Sequence, residues 1–533
     1  MIRQSSPSGH GAVPRTREPF ASQALRLVTA VDRDPWGSVG PSAYETARVI
    51  SFAPWLPDHE RRLAWLRNVQ RDDGSWGEGP SPYRLLPTLS AVEAVLSVLR
   101  HETASPDSRA ELEAAASTGL AALRDLPQDG PWPDTAAIEI LVPDLTAQIN
   151  EHLGQPFIGV LPQLGGWSRG ARLAVPAGFD DALPTQVGER CRSNGVLPAK
   201  LHHTLEGIAR SAPLASVDLT GGLVGSSPAA TAAWAAVASA PARQPAVTQL
   251  TAVAQRYNGL FPEAAPITVF ERLWVAAGLA GPGLPDTCLP TIRAWASQTY
   301  DPAGVRGAPG LLPDADDTAM MILVSALVGQ PRAPDALSVF DAGTHYDCYV
   351  GEDTGSVTAN AHALQALGRY LMCRPEGSRN HRLRMVMAQD WLVERQSPDG
   401  WWTDKWHASP YYATERCVTA LCGGDGPRAA DAVRRAADWV LATQDADGSW
   451  GIWGGTAEET AYAVKILLRA PARKAPARTR DALDRAVPVL TAAASEPVLQ
   501  GPALWHDKTL YAPYAMVQAE VLAALQLLRT RGR

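Results

Sequence analysis

The sequence is 533 residues long, 46% hydrophobic and 19% charged, with a formal net charge of -7 and 17 tryptophans against 7 phenylalanines. It is long enough for two to four domains, too apolar for a disordered chain and too acidic for a typical nucleic-acid binder. No apolar run approaches the roughly 20 residues of a membrane span, and the six cysteines show no C-x-x-C spacing, so free thiols and a cytoplasmic location are expected.

Residues 1–19 are polar and rich in Pro, Ser and Gly, without the apolar core of a signal peptide. A repeat then organises the chain. Gln70-Arg71-Asp72-Asp73-Gly74-Ser75-Trp76 fits Q-x3-G-x-W, as do Gln396–Trp402 and Gln444–Trp450. Gln255–Phe261 fits with Phe in the last place, and Gln128–Trp132 is a degenerate copy. Clear copies follow a helical apolar pattern, such as Leu63, Trp65 and Leu66, and precede another, such as Thr460–Leu468. The pattern reads as helix, tight turn, helix. Glycine supplies a positive φ, and tryptophan stacks back on the glutamine or on the neighbouring helix. D-G-x-W also occurs in hairpins and carbohydrate-binding modules, but no β-type alternation separates these copies. Such units bury their faces only against each other. The expectation is an all-α fold of two α-barrels.

Residues 313–320 read Pro-Asp-Ala-Asp-Asp-Thr-Ala-Met, with three aspartates just ahead of an apolar helical run. That is the place of a helix N-terminus, where a solvated cap is one reading. A calcium loop is a poor fit, because the further ligands and the glycine are missing. The chemistry the cluster suits is protonation of an alkene. An aspartic acid kept neutral at pH 7 stands roughly three units above its ordinary value, at a cost of about 4 kcal/mol. Neighbouring carboxylates and burial push that way, and a helix N-terminus pushes back.

The Q-x3-G-x-W repeats resemble the QW motif of the triterpene cyclase and class II diterpene cyclase superfamily. Further segments are similar to its copalyl diphosphate synthases: Ser42–Ala47 to S-A-Y-D-T-A, His203–Gly207 to H-S-L-E-G, Ser227–Ala232 to S-P-S-x-T-A, and Phe270–Trp274 to F-E-R-L-W. Asp314–Asp317 resembles the D-x-D-D acid motif. The resemblance implies a β domain made of residues 1–35 and 266–533, with a γ domain, 36–265, inserted. No D-D-x-x-D or N-S-E motif of a class I domain occurs in the sequence.

The resemblance also implies roles. Asp316 is the proton donor, tuned and resupplied by Asp314 and Asp317. Asn360 orients that acid, and Ser356 stands four residues earlier where the family often has Thr, counted here with the substrate-binding residues. Lys508, in a stretch similar to W-I-G-K-T-L-Y, meets the diphosphate as a point charge. Mg2+ is expected near Asp129 and Asp134. His203 and Glu263, the latter in place of the family's asparagine, are candidates to remove the last proton directly or through a water, with His202 as an alternative to His203. The implied activity is protonation-initiated cyclisation of geranylgeranyl diphosphate to a bicyclic labdane-type diphosphate, copalyl or ent-copalyl, with the diphosphate retained. A separate class I terpene synthase acts on that product. Drimane formation from farnesyl diphosphate, squalene cyclisation and a non-catalytic α-barrel binding protein are the alternatives. Aromatic faces should hold the carbocation.

Overall fold

The computed structural model describes residues 18–531 apart from 102–105, 128, 169, 215–216, 218, 220–222, 353, 377–378, 425, 471–475 and 497–500. Residues 1–17 of the expected first segment and Gln128 of the degenerate repeat lie outside the described residues. Helices dominate. Among the described residues the strands are two short antiparallel ladders, Val305–Arg306 with Pro313–Asp314 and Trp505–His506 with Leu510–Tyr511.

The motifs that stand out in the sequence are, first of all, helix starts. Ser42 accepts a hydrogen bond from Glu45 N ahead of the Ala43–Phe52 helix, and Ser227 does the same for Ala230 N ahead of Pro228–Val237. Asp314 caps Ala315–Leu327 through Asp317 N, and Ser356 caps Val357–Cys373 through Ala359 N. Each cap satisfies a backbone donor that the first helical turn leaves open.

The three clear repeats are built alike. Trp76, Trp402 and Trp450 donate their indole N–H to Leu66, Leu392 and Val440 at 2.7, 2.8 and 2.8 Å, sealing the end of the preceding helix. Gln70, Gln396 and Gln444 reach the carbonyls of Ala115, Ala432 and Ala482 on the helix after next. The glutamine thus joins helix to helix, while the indole binds backbone rather than stacking on the glutamine. Glycine is required at the turns. Gly74, Gly400 and Gly448 have φ of +81°, +103° and +92°, and a Cβ there would lie 2.5–2.6 Å from a backbone oxygen.

Apolar faces sort the helices into separate cores. Phe20–Arg33 buries Ala24, Leu27, Val28 and Val31, one stripe at helical spacing. That stripe packs in one cluster with residues from Leu273 to Leu528. The intervening chain packs elsewhere, in clusters spanning 44–229, 49–265 and 140–246. The Ala315–Leu327 helix is buried along almost its whole length and packs on Val357–Cys373.

Candidate active site

A cavity of about 540 Å³ lies between the cores, within the range of small-molecule sites. Its lining comes chiefly from residues within 136–140, 199–204, 263–274, 307–317, 348–352, 406–412 and 505–511. Exposed Glu139, Lys200 and Val350 mark its mouth. Lys200 is the one lysine or arginine among the lining residues.

All three aspartates of the acidic cluster reach this cavity. Asp314 and Asp317 are buried, and Asp314 Oδ1 accepts from Asp317 N at 2.7 Å. Burial pushes Asp314 up to about 7. Burial, then the charge of Asp314, lifts Asp317 well above the ordinary carboxylate range. Asp317 Oδ1 has no hydrogen-bond partner among the described residues. A Cβ on Gly307 would fall 2.7 Å from Asp317 Oδ2, so the close packing over that carboxyl depends on the glycine. Asp316, in the first turn of its helix, keeps 13% of its side chain exposed, and its Oδ1 lies 2.6 Å from His362 Nδ1. The His362 ring is buried edge-on to Trp274. One oxygen of Asp316 is thus fixed by the protein while the side chain lines the cavity.

Aromatic rings form the wall beside this acid. Phe270, Trp274, Trp406, Tyr412, Trp505 and Tyr511 line it, so three of the 17 tryptophans face the cavity. Phe270 and Trp274 are 4.4 Å apart by ring centroids, Tyr412 and Trp505 4.7 Å. The Trp274 indole N–H donates to Tyr412 Oη at 3.0 Å, which fixes both rings. Such rings stabilise a cation through their quadrupoles without offering a nucleophile.

Several expected contacts are redrawn. Among the described residues, no hydrogen bond joins Asn360 to Asp316. Asn360 donates to the Tyr346 and Ser356 carbonyls and accepts from Tyr346 N, at 2.8–2.9 Å. It therefore holds the 346–348 loop, whose Cys348 carbonyl accepts from Ala315 N at the start of the acid helix. The direct partner of Asp316 is His362, a residue the motif comparison passed over. The signal was a lone histidine in the apolar run Val357–Leu367. Ser356 is a buried helix cap bonded to Asp404, not a cavity residue.

Lys508 is also redrawn. It is fully buried, outside the cavity lining, and its Nζ donates to Glu45 Oε1 at 2.6 Å, Ser227 Oγ at 2.7 Å and Glu206 Oε1 at 2.8 Å. Three motif segments far apart in sequence thus converge on one ammonium. Burial lifts Glu45 to about 8 even though Lys508 opposes it. Asp129 and Asp134 are exposed and neither lines the cavity; Glu139 is the carboxylate of that segment that does. The predicted pair does not fit a magnesium centre at this cavity, and among the described residues no group of three or more His, Cys, Asp or Glu side chains forms one.

His203 and Glu263 both line the cavity, whereas His202 is buried and does not. His203 pairs with Asp507 at 2.8 Å, and Glu263 accepts from Thr509 N and Oγ1 at 2.6 and 2.8 Å.

Comparison with known proteins shows the family. Residues 345–480 match the squalene-hopene cyclase C-terminal domain. The chain is 63% identical to a copalyl diphosphate synthase from Streptomyces cyslabdanicus over 96% of each sequence. It is 48% identical to a labda-7,13-dienyl diphosphate synthase from Streptomyces clavuligerus, over 97% of this chain and 94% of that one. The solved ent-copalyl diphosphate synthase from Streptomyces platensis is 42% identical and superposes with a TM-score of 0.87, covering 96% of this chain and all of that one.

Proposed function

The chain belongs to the class II diterpene cyclases, and from that premise we propose that it makes copalyl diphosphate with Asp316 as the acid. The coarser activity follows from the family: it is a terpene cyclase that folds geranylgeranyl diphosphate into a labdane-type diphosphate. The observation that carries the acid assignment is the Asp316 carboxyl, open to an aromatic cavity, fixed at one oxygen by His362 and flanked by two buried carboxyls.

The sequence of events then follows from the residues. Asp316 gives its proton to the terminal alkene, and the alkene's electron pair forms the new C–H bond. His362 keeps the donor oriented and supports the carboxylate left behind. Asp314 and Asp317, both raised by burial, are the nearby groups able to return a proton. Phe270, Trp274, Tyr412 and Trp505 shield the cation from water while the rings close. The diphosphate stays on the substrate and lies at the mouth, where Lys200 is the cation within reach in place of the buried Lys508. Mg2+ held there by Glu139 and phosphate oxygens would offset charge in binding. The retained diphosphate leaves a substrate for a separate class I synthase. The cores support a division into a discontinuous domain, 1–35 with 266–533, and an inserted one, 36–265.

The test is incubation of the purified protein with geranylgeranyl diphosphate, farnesyl diphosphate and squalene, followed by dephosphorylation, mass spectrometry and chiral comparison with both copalol enantiomers. Copalol from the C20 substrate is expected. Stoichiometric release of inorganic pyrophosphate, or turnover of squalene alone, would refute the reading.

A further inference from the structure

Two candidates for the last proton acceptor face the cavity, His203 and Glu263, and their hydrogen bonds separate them. The His203 ring is engaged at both nitrogens. Nδ1 lies 2.6 Å from the Gly225 carbonyl oxygen, and Nε2 lies 2.8 Å from Asp507 Oδ1. A carbonyl oxygen only accepts, so Nδ1 carries a hydrogen and donates it. The proton between Nε2 and Asp507 is enclosed in the same way. Neither nitrogen presents a lone pair to a C–H bond of a substrate in the cavity.

The clamp is tight. Gly225 has φ of +54°, and a Cβ there would lie 2.4 Å from His203 N, so the two backbones approach more closely than any side chain permits. Burial and the nearby Lys508 charge work against charge on the ring, yet Asp507 and the Gly225 carbonyl outweigh them and lift His203 above its ordinary value. Burial likewise opposes the charge on Asp507, but His203 and Lys508 hold it below the ordinary carboxylate range. The pair is a closed imidazolium–carboxylate unit.

Glu263 is fixed without being used up. Its two oxygens accept from Thr509 N and Oγ1. Ala265 N donates to Ser226 O at 2.9 Å and Ser42 N to Phe261 O at 2.8 Å, which pins the segment that carries it. A carboxylate offers about four lone-pair sites, so accepting capacity remains. Burial, and then the Asp507 charge, raise Glu263 above its ordinary value, the direction a base needs.

We infer that Glu263 removes the final proton, and that His203 is a positioning residue clamped as an imidazolium between Gly225 and Asp507. The inference rests on the cyclase reading above. The C–H bond beside the cationic carbon breaks, its electron pair becomes the new alkene π bond, and the proton joins a Glu263 oxygen. One proton leaves Asp316 at the start and one arrives at Glu263 at the end. No oxidant or reductant is needed, and both carboxyls re-equilibrate with water before the next turnover.

The experiment compares the products of Glu263→Gln, Glu263→Asp and His203→Gln with those of the parent on geranylgeranyl diphosphate. It adds nitrogen NMR of the full-length protein labelled with 15N-histidine. Gln at 263 can still accept from Thr509 N, and the Thr509 hydroxyl can turn to accept from its amide, so the fold is expected to hold. Losing the base slows deprotonation roughly 10²–10⁴-fold, so hydroxylated or rearranged C20 diphosphates should replace the parent alkene. Should the glutamine variant fail to fold, Glu263→Asp carries the test through partial leakage to the same products. His203→Gln should lower the rate while the hydroxylated and rearranged diphosphates stay minor, and the resonances it removes should report two protonated ring nitrogens at neutral pH. The parent alkene from Glu263→Gln, or a neutral His203 ring together with a changed product in His203→Gln, would overturn the inference. Absence of any labdane-type diphosphate from the parent would instead refute the cyclase reading, while the NMR still reports the state of the ring.

Discussion

Replacing Lys508 with methionine separates two roles that a lysine in this position could have. Its ammonium is the shared partner of Glu45 and Glu206 in a fully buried site, with Ser227 as third acceptor. Methionine keeps much of the volume and deletes the charge, leaving two carboxyls without their cation. Removing one partner of a buried ion pair costs about 3–5 kcal/mol. Against a whole-protein stability of about 5–15 kcal/mol, that is a fifth or more of the total. The assay is urea unfolding, in which the midpoint should fall steeply with little change in slope, alongside steady-state kinetics normalised to folded enzyme. KM for geranylgeranyl diphosphate should stay near that of the parent. Adding Glu45→Gln to Lys508→Met should restore part of the lost stability, since one buried carboxyl is gone. Lys200→Ala is the contrast: an exposed substitution expected to move stability by less than about 0.5 kcal/mol while raising KM several-fold. Parent-like unfolding of Lys508→Met together with a tenfold higher KM would refute this reasoning and return Lys508 to the diphosphate.

Asp316→Asn removes the donor and should lower kcat by roughly 10²–10⁴-fold or more, with unfolding and substrate binding near the parent's; near-normal turnover would disprove the assignment. The pH dependence follows from Asp314, which burial raises to about 7. The neutral form that supports proton delivery dominates below that value, so kcat should be level at acidic pH and fall as pH passes about 7. Because the folded value lies above the unfolded one, the stability it contributes is likewise lost as pH rises through about 7. A rate that climbs between pH 6 and 8 would contradict this. Gly448→Ala puts a Cβ 2.5 Å from the Arg485 carbonyl at φ of +92°, so the thermal midpoint should drop by an amount reflecting 1 kcal/mol or more; an unchanged midpoint would show that the turn relaxes freely.

What the sequence determined by itself was whatever depends on neighbours along the chain. Repeats, apolar stripes and turn glycines act within a few residues, so the all-α fold, the helix-turn-helix units and the place of the acid cluster at a helix N-terminus were legible. The acid cluster was legible too, because Asp314, Asp316 and Asp317 meet the cavity from a single helical turn. The tertiary structure alone decided which polar groups pair across the fold. His362 meets Asp316 from 46 residues away, Asp507 meets His203 from 304, and Lys508 meets Glu45 from 463. None of these contacts leaves a local periodicity. A buried ion network and a substrate-binding lysine also read alike in a motif, since each demands a fixed charged residue; only burial distinguishes a cation satisfied by three protein oxygens from one still open to a diphosphate. For the same reason Asn360, whose amide is used up on the Tyr346 loop and the Ser356 carbonyl, read as a partner of the acid until its hydrogen bonds could be traced.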